Sequence, residues 1–409
     1  MTFIEVVQEV LATTGFAQFT RWGGNFAESG PAHLLMIAVG LGLVYLAIKK
    51  QYEPLLLLPI GIGAIFANIL GVEPLMGAVS HSFVDSEGVI QTVYGGFIGQ
   101  FYQLGLEAGL FPLLIFFGVG AMIDFGPLIA NPKMLLLGAA AQIGIFGAMI
   151  LALVLSATLP FINFSLGDAA SIAIIGSSDG PTTIFTTTRL APELLGAVAI
   201  AAYSYMGLLP IIQPPIMRAL TTKAQRRIKM AQLREVSQLE KILFPIIVII
   251  LTALFFPAAA PLIGALMFGN LCAMSGVVKR LTDTMAGPLI NMITIFIGLA
   301  VGSRMQASMF LTINTLGIIA LGLFAFMLGT AAGVLGAQLM RIFSKTPINP
   351  LIGSAAVSAM PMASRVSQWV AQEEDSDTFI LMHAMAPNVA STLASAAVAG
   401  VFIALIGGG

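Results

Sequence analysis

Runs of about twenty apolar residues recur along almost the whole chain, and each is long enough to cross roughly 30 Å of hydrocarbon as a helix. Candidate spans fall near residues 31–48, 54–71, 104–123, 134–158 and 193–220, and again near 242–260, 261–278, 286–302, 312–340 and 379–407. Asp, Glu, Lys and Arg make up only 9% of the 409 residues, against roughly 25% in a soluble domain, too few to solvate a surface of this size. The reading is an all-α polytopic membrane protein of about ten spans. The single cysteine, Cys272, excludes a disulfide framework or a Cys-rich metal centre, and three scattered histidines, His33, His81 and His383, offer no transition-metal cluster. With a net charge of −1 and no basic patch, nothing points to nucleic acid.

Charge placement then orders the spans. Residues 1–30 lack a basic start and a small-residue cleavage site, and read as a retained amphipathic interfacial segment. Six of the 18 basic residues (Lys223, Arg226, Arg227, Lys229, Arg234 and Lys241) lie in the polar stretch 221–241, which should be a cytoplasmic linker. Lys49, Lys50 and Lys133 mark the same side, whereas the base-free loop 72–93 marks the outer one. Counting crossings between these markers leaves 168–190 and 350–369 as re-entrant segments, the first entering from outside and the second from inside. Residues 31–220 and 242–409 thus form two halves of opposite orientation, an inverted repeat of the kind secondary transporters use, with both termini outside. The acidic run Glu373, Glu374, Asp375 and Asp377 reads as a solvated loop.

The chemistry concentrates in the two odd segments. In GSSDGPTTIFTTTR, residues 176–189, a carboxylate and seven hydroxyls surround a Gly180-Pro181 break. Backbone opened inside a membrane must be satisfied by protein or by an ion, and Asp179, with no base nearer in sequence than Arg189, is a costly charge there. Oxygens from Asp179, Ser177, Ser178 and Thr182, with freed carbonyls, suit Na⁺ or H⁺. A plainer role for Asp179, capping the helix that begins at Pro181, is compatible with this. Gly176-Ser177-Ser178-Asp179-Gly180 also fits the G-x-S-x-G nucleophile elbow, but that motif needs a strand–turn–helix setting, and here the flanks are membrane spans. The second segment carries Asn349, Gly353, Ser354, Ser358 and Arg365; the guanidinium can fork onto a carboxylate or snorkel to the interface. Asn388 follows Pro387 in the last span, and Tyr205 precedes Pro210 by five residues. Tyr203 reads as a packing residue, and His383 as a packed histidine.

Several blocks carry a family likeness. EPLLLLPIG (53–61), GVGAMIDFGPLIANPK (118–133), GSSDGPTT, LAPELLGAVAIAAYSYMGLLPIIQPPIMRALTT (190–222), KILFP (241–245), INPLIGSAAVSAMPMASRVS (348–367) and LMHAMAPNVAS (381–391) resemble the membrane-embedded beta subunit of the biotin-dependent sodium-pumping decarboxylases. The likeness runs from about residue 30 to 409 and lapses over 1–30 and 72–106. It implies that carboxybiotin, presented in trans, is decarboxylated here with uptake of a proton from outside and export of Na⁺. Asp179, Tyr205, Ser358 and Arg365 would act in that reaction, with Ser177, Ser178, Thr182, Asn349, Gly353 and Asn388 about the ion and Arg365 on the carboxybiotin. It also implies partners: a biotin carrier and carboxyltransferase, a small single-span subunit and further copies of the chain, in the inner membrane of a prokaryote. No AMKM-like biotinylation motif occurs in the chain itself. A cation-coupled carboxylate transporter or a Na⁺/H⁺ antiporter would use the same architecture.

Overall fold

A computed structural model describes residues 25–51, 53–69, 79–84, 90–94, 96–160 and 162–407, with residues 6, 7, 14 and 19. Most of the interfacial segment expected over 1–30 lies outside the described residues, as do 72–78 and 85–89 of the expected outer loop. Among the described residues, eight helices are long and apolar enough to cross a membrane: Gly30–Lys49, Pro132–Thr158, Pro192–Leu220, Gln238–Phe255, Pro257–Ser275, Lys279–Ser303, Ile313–Phe343 and Leu381–Ile406. The pair Ile98–Glu107 and Leu110–Met122, bent by 71° at a short break, supplies another, and the 16-residue Pro54–Ile69 is the apolar helix expected at 54–71. Helices dominate because a spanning backbone must satisfy its own hydrogen bonds. Where Pro288 removes a donor, the helix widens into a π turn over Met285–Leu289 instead of stopping. One antiparallel ladder, Val79–Val84 with Ile90–Tyr94, stands apart from the helices.

The chain divides into two compact units, each drawing elements from both sides of the linker. The first comprises Met1–Phe111 and Asn291–Gly317. Its helices Gly30–Lys49 and Pro54–Ile69 meet at Gly40 and Gly61, where a Cβ on either would fall within 2.9 Å of the other's carbonyl oxygen. Such backbone approach replaces a hydrophobic drive that lipid cannot provide. Asn68 ties the unit together: its amide donates to Ala64 and Met305 carbonyls, each at 2.8 Å, and its oxygen accepts from the Ala307 N–H at 3.0 Å, with His33 Nδ1 also at 3.0 Å.

The second unit, Pro112–Ile290 with Ile318–Gly409, holds both odd segments. The first segment is a helix, Leu166–Ala173, tightened into a 3₁₀ turn, Ile174–Ser177, broken at Ser178 and Asp179, and resumed as Gly180–Leu190. The second begins as a 3₁₀ turn, Pro350–Ala356, extends at Val357, and resumes as the helix Met362–Glu374. The first break is buried in protein, and the second is buried from Val357 to Ala359, with Met360 half-buried and Pro361 exposed; irregular backbone inside a membrane is tolerated where protein buries it or water reaches it. The acidic run is solvent-facing, as expected, at the end of the helix and in the turn after it. It also meets bases about 150 residues earlier in the chain: Arg218 of the helix Pro192–Leu220 with Glu373, and the linker's Arg226 with Glu374 and Lys229 with Asp375 and Asp377.

Candidate functional site

The site grows from the first break. Ser178 sits in the left-handed region at φ 53°, which turns the chain so that Asp179, in extended conformation, caps the helix Gly180–Leu190. The Asp179 carboxylate accepts from the Thr182 N–H at 3.3 Å, the Thr182 hydroxyl at 2.8 Å and the Ser395 hydroxyl at 3.4 Å. The capping role is therefore met, and the carboxylate is 6% exposed. Among the described residues no Lys, Arg or His pairs with it. Arg189 lies at the far end of the same helix, stacked over the Phe185 ring at 3.6 Å and donating to the Phe185 carbonyl.

Of the seven hydroxyls in this stretch, few face the carboxylate. Thr183, Thr186, Thr187 and Thr188 each donate to the carbonyl four residues earlier in their own helix, the local back-bonding open to threonine in a helix. The Ser177 hydroxyl donates to the Ile174 carbonyl at 2.7 Å and accepts from the Asp179 N–H. The Ser178 hydroxyl, fully buried, has no partner among the described residues. The same holds for the hydroxyl of Tyr203, whose ring lies directly on Gly180: a Cβ there would come within 2.2 Å of the ring. A glycine is required at 180 for this approach. Sequence reasoning assigned Tyr203 to packing; the Gly180-Pro181 break, which leaves room for a ring, was the available signal.

The second break docks onto the first. The Ser358 N–H donates to the Ser177 carbonyl at 2.7 Å, joining the two interrupted backbones. Ser358 Oγ bonds Ser391 at 3.1 Å and Ser395 at 3.2 Å. Asn388 donates to the carbonyls of Ala355 and Val357, at 2.9 and 2.6 Å, and so holds the open backbone of the second segment. Asn388, Ser391 and Ser395 occupy one face of the last helix at i, i+3 and i+7. That spacing is visible in the sequence, yet Ser391 and Ser395 were passed over because neither adjoins a break.

Ser177, Ser178, Asp179, Thr182, Ser358 and Asn388 thus gather around the two breaks. Four other candidates lie elsewhere. Tyr205 donates its hydroxyl to the Ile319 carbonyl and packs its ring near Gly322. Asn349 is fully buried and donates to the linker carbonyls of Arg226 and Ile228, at 2.9 and 3.0 Å, while its oxygen caps the following turn. Gly353 meets Gly333 backbone to backbone, a Cβ on it falling 2.0 Å from the Gly333 oxygen. Arg365 is exposed, and its guanidinium bonds no described residue. Chemically, the gathered set offers one carboxylate, unpartnered hydroxyls and carbonyls at broken helix ends: hard oxygens suited to a small cation.

Comparison with known proteins identifies the family. Residues 32–406 match the family model for the Na⁺-transporting oxaloacetate decarboxylase beta subunit. The chain is 52% identical to the methylmalonyl-CoA decarboxylase subunit beta of Propionigenium modestum, over 99% of this chain and 100% of that one. It is 50% identical to a probable oxaloacetate decarboxylase beta chain of Vibrio cholerae, over 91% and 95%. With the glutaconyl-CoA decarboxylase subunit beta of Acidaminococcus fermentans the identity is 48%, over 99% of each. These matches favour the pump over the transporter and antiporter alternatives. The chain belongs to the beta-subunit family of the Na⁺-transporting decarboxylases, and is the multi-pass membrane subunit of such a sodium pump.

Proposed function

We propose that Asp179 is the charged ligand for the transported Na⁺, with Ser178, Thr182, Ser358 and Asn388 beside it, and Tyr203 as an added hydroxyl. The observation that carries this is a buried carboxylate without a basic partner, placed where two broken segments touch and next to two unpartnered hydroxyls. In this reading Ser177, Asn349 and Gly353 shape the breaks. Arg365, whose guanidinium is free, receives the carboxylate of carboxybiotin brought from the cytoplasm by a separate biotin carrier and carboxyltransferase, and Tyr205 and Ser358 belong to the path of the proton that replaces the carboxyl group. A single-span subunit and further copies of the chain complete the complex. Relatives named for three different acids are similarly close to this chain, as expected of a subunit that meets only the carboxylated carrier. Moving one positive charge against 100 mV costs about 2.3 kcal/mol, so decarboxylation must be coupled to the bound ion. The test is Asp179→Asn: Na⁺-dependent decarboxylation should vanish while the complex still assembles, and near-normal turnover at ordinary Na⁺ would remove Asp179 from the role.

We further propose the topology: the linker 221–241 in the cytoplasm of a prokaryote, both termini outside the inner membrane, and 31–220 and 242–409 as inverted repeats. Its support is the order of elements on the two sides of the linker: four apolar helical elements, which in the first half include the 16-residue Pro54–Ile69 and the bent pair Ile98–Glu107 and Leu110–Met122, then a broken segment and one more span. Single cysteines in a Cys272→Ser background, at 225–235 and at 76–90, should label from opposite sides of the membrane. Labelling of both from one side would overturn the repeat.

A further inference from the structure

The linker is not a passive tether, because it holds the second broken segment at both ends. At the start, Asn349 donates to the carbonyls of Arg226 and Ile228. At the end, the Arg226 guanidinium reaches Glu374: Nη2 and Nε lie 2.5 and 3.0 Å from Oε1. Its remaining nitrogen, Nη1, donates to the Thr221 carbonyl at 2.6 Å and also lies 3.3 Å from that residue's hydroxyl. Arg226 is 5% exposed, and Glu374, whose side chain is 17% exposed, meets it from the water side. Around it, Arg218 meets Glu373 at 2.5 Å, Arg227 donates to the Glu374 carbonyl, and Lys229 lies 3.9 Å from Asp375. These outer contacts are exposed and individually weak. The inner pair differs, since removing Glu374 leaves the buried guanidinium of Arg226 without its carboxylate.

We propose that Arg226 is a positioning residue for the pump: with Glu374 and Asn349 it clamps the segment 349–374, and so sets how its break, at Ser358, seats on Ser177 beside Asp179. The functional consequence rests on the sodium reading of that break; the clamp itself does not. Arg226 touches neither the ion nor the carboxylated carrier, and acts through the segment it holds. A short rigid clamp of this kind lets a linker on the membrane surface control geometry at a buried site, because the part of the segment that leads from Asn349 to the break is buried throughout, from Asn349 to Ala359.

The experiment uses the whole decarboxylase complex carrying Arg226→Gln, Glu374→Gln or both. Two quantities are read: the Na⁺ concentration for half-maximal decarboxylation, and the maleimide labelling rate of Met360→Cys, a half-buried position in the break, in a Cys272→Ser background. Each single variant should raise the labelling rate severalfold and the Na⁺ half-saturation by about tenfold, with a smaller change in maximal rate. The double variant should be no worse than Arg226→Gln alone, since both act through one pair. A merely structural role would lower yield and leave Na⁺ half-saturation unmoved. Glu374 lies at the water face, so Glu374→Gln keeps the test decisive should Arg226→Gln fail to accumulate. Unchanged labelling in the folded variants, or independent effects that multiply in the double variant, would overturn the clamp. Faster labelling with an unaltered Na⁺ dependence would uphold the clamp and instead sink the assignment of sodium to this break.

Discussion

The Ser358 amide donates to the Ser177 carbonyl across a separation of 2.7 Å, so the two interrupted backbones of the pump are hydrogen-bonded at their breaks. Each break strands polar backbone groups that lipid cannot satisfy. Here one supplies the partner the other lacks, and the last helix adds Asn388, which donates to the Ala355 and Val357 carbonyls, while Ser391 and Ser395 bond the Ser358 hydroxyl. The arrangement leaves Asp179 inside the same hydrogen-bonded cluster, through Ser395.

Asn388 is the residue whose loss should be felt most in the fold of the second break. Asn388→Leu leaves the Ala355 and Val357 carbonyls buried without their donor, at a cost of about 1–3 kcal/mol each. The expected result is a clear fall in the unfolding temperature of the detergent-solubilised subunit, together with loss of Na⁺-induced stabilisation. An unfolding temperature equal to that of the parent would show that the two carbonyls find other partners.

Gly353→Ala tests close backbone packing without touching any polar group. Its methyl would meet the Gly333 oxygen at 2.0 Å, and overpacking of this kind costs about 1–3 kcal/mol or more. We expect reduced yield of a folded, poorly active subunit. Partial recovery is not expected from Gly333→Ala in the same chain, because a Cβ there meets the Gly353 oxygen in turn, at 2.1 Å. Full activity of Gly353→Ala would refute the contact.

Arg365 should separate carrier binding from ion binding. Arg365→Lys keeps the charge but loses the fork that matches a carboxylate, so the carboxybiotin dependence of decarboxylation should weaken while thermal stabilisation by Na⁺ stays as it is. If Arg365→Ala merely lowered protein yield and left the carboxybiotin dependence unaltered, the guanidinium would be an interfacial anchor.

Acid should loosen the linker clamp. A hydrogen bond from Arg226 holds the Glu374 carboxyl below its ordinary range, with the charges of Arg226, Lys223 and Arg227 adding to the effect against burial. A carboxyl depressed in the folded state stabilises the fold fully above its unfolded value, about 4.3 for glutamate, and loses that contribution as the pH falls through its folded value. The gap in unfolding temperature between the parent and Glu374→Gln should therefore be full at neutral pH and close below about pH 4. A gap independent of pH would show that the pair adds nothing through charge.

How much was legible in the chain follows from the range of the forces involved. Span number and type depend on apolar length, a local property, and the helices found from Gly30 to Ile406 follow the runs that hydropathy marks. The first break was legible too, because Gly180-Pro181 follows a carboxylate that caps the helix they open, and the second was placed by counting crossings between charge markers. Asp179 was singled out by the cost of burying a charge, which holds whatever its neighbours. What the tertiary structure decided is which groups meet. Ser395 reaches Asp179 across 216 residues, and Arg226 reaches Glu374 across 148. Tyr203 rather than Tyr205 rests on Gly180, and Asn349 turns toward the linker instead of the carboxylate. No local pattern encodes these choices, since a hydroxyl or amide is equally competent toward any partner within reach, and packing alone determines which partner comes within 3 Å.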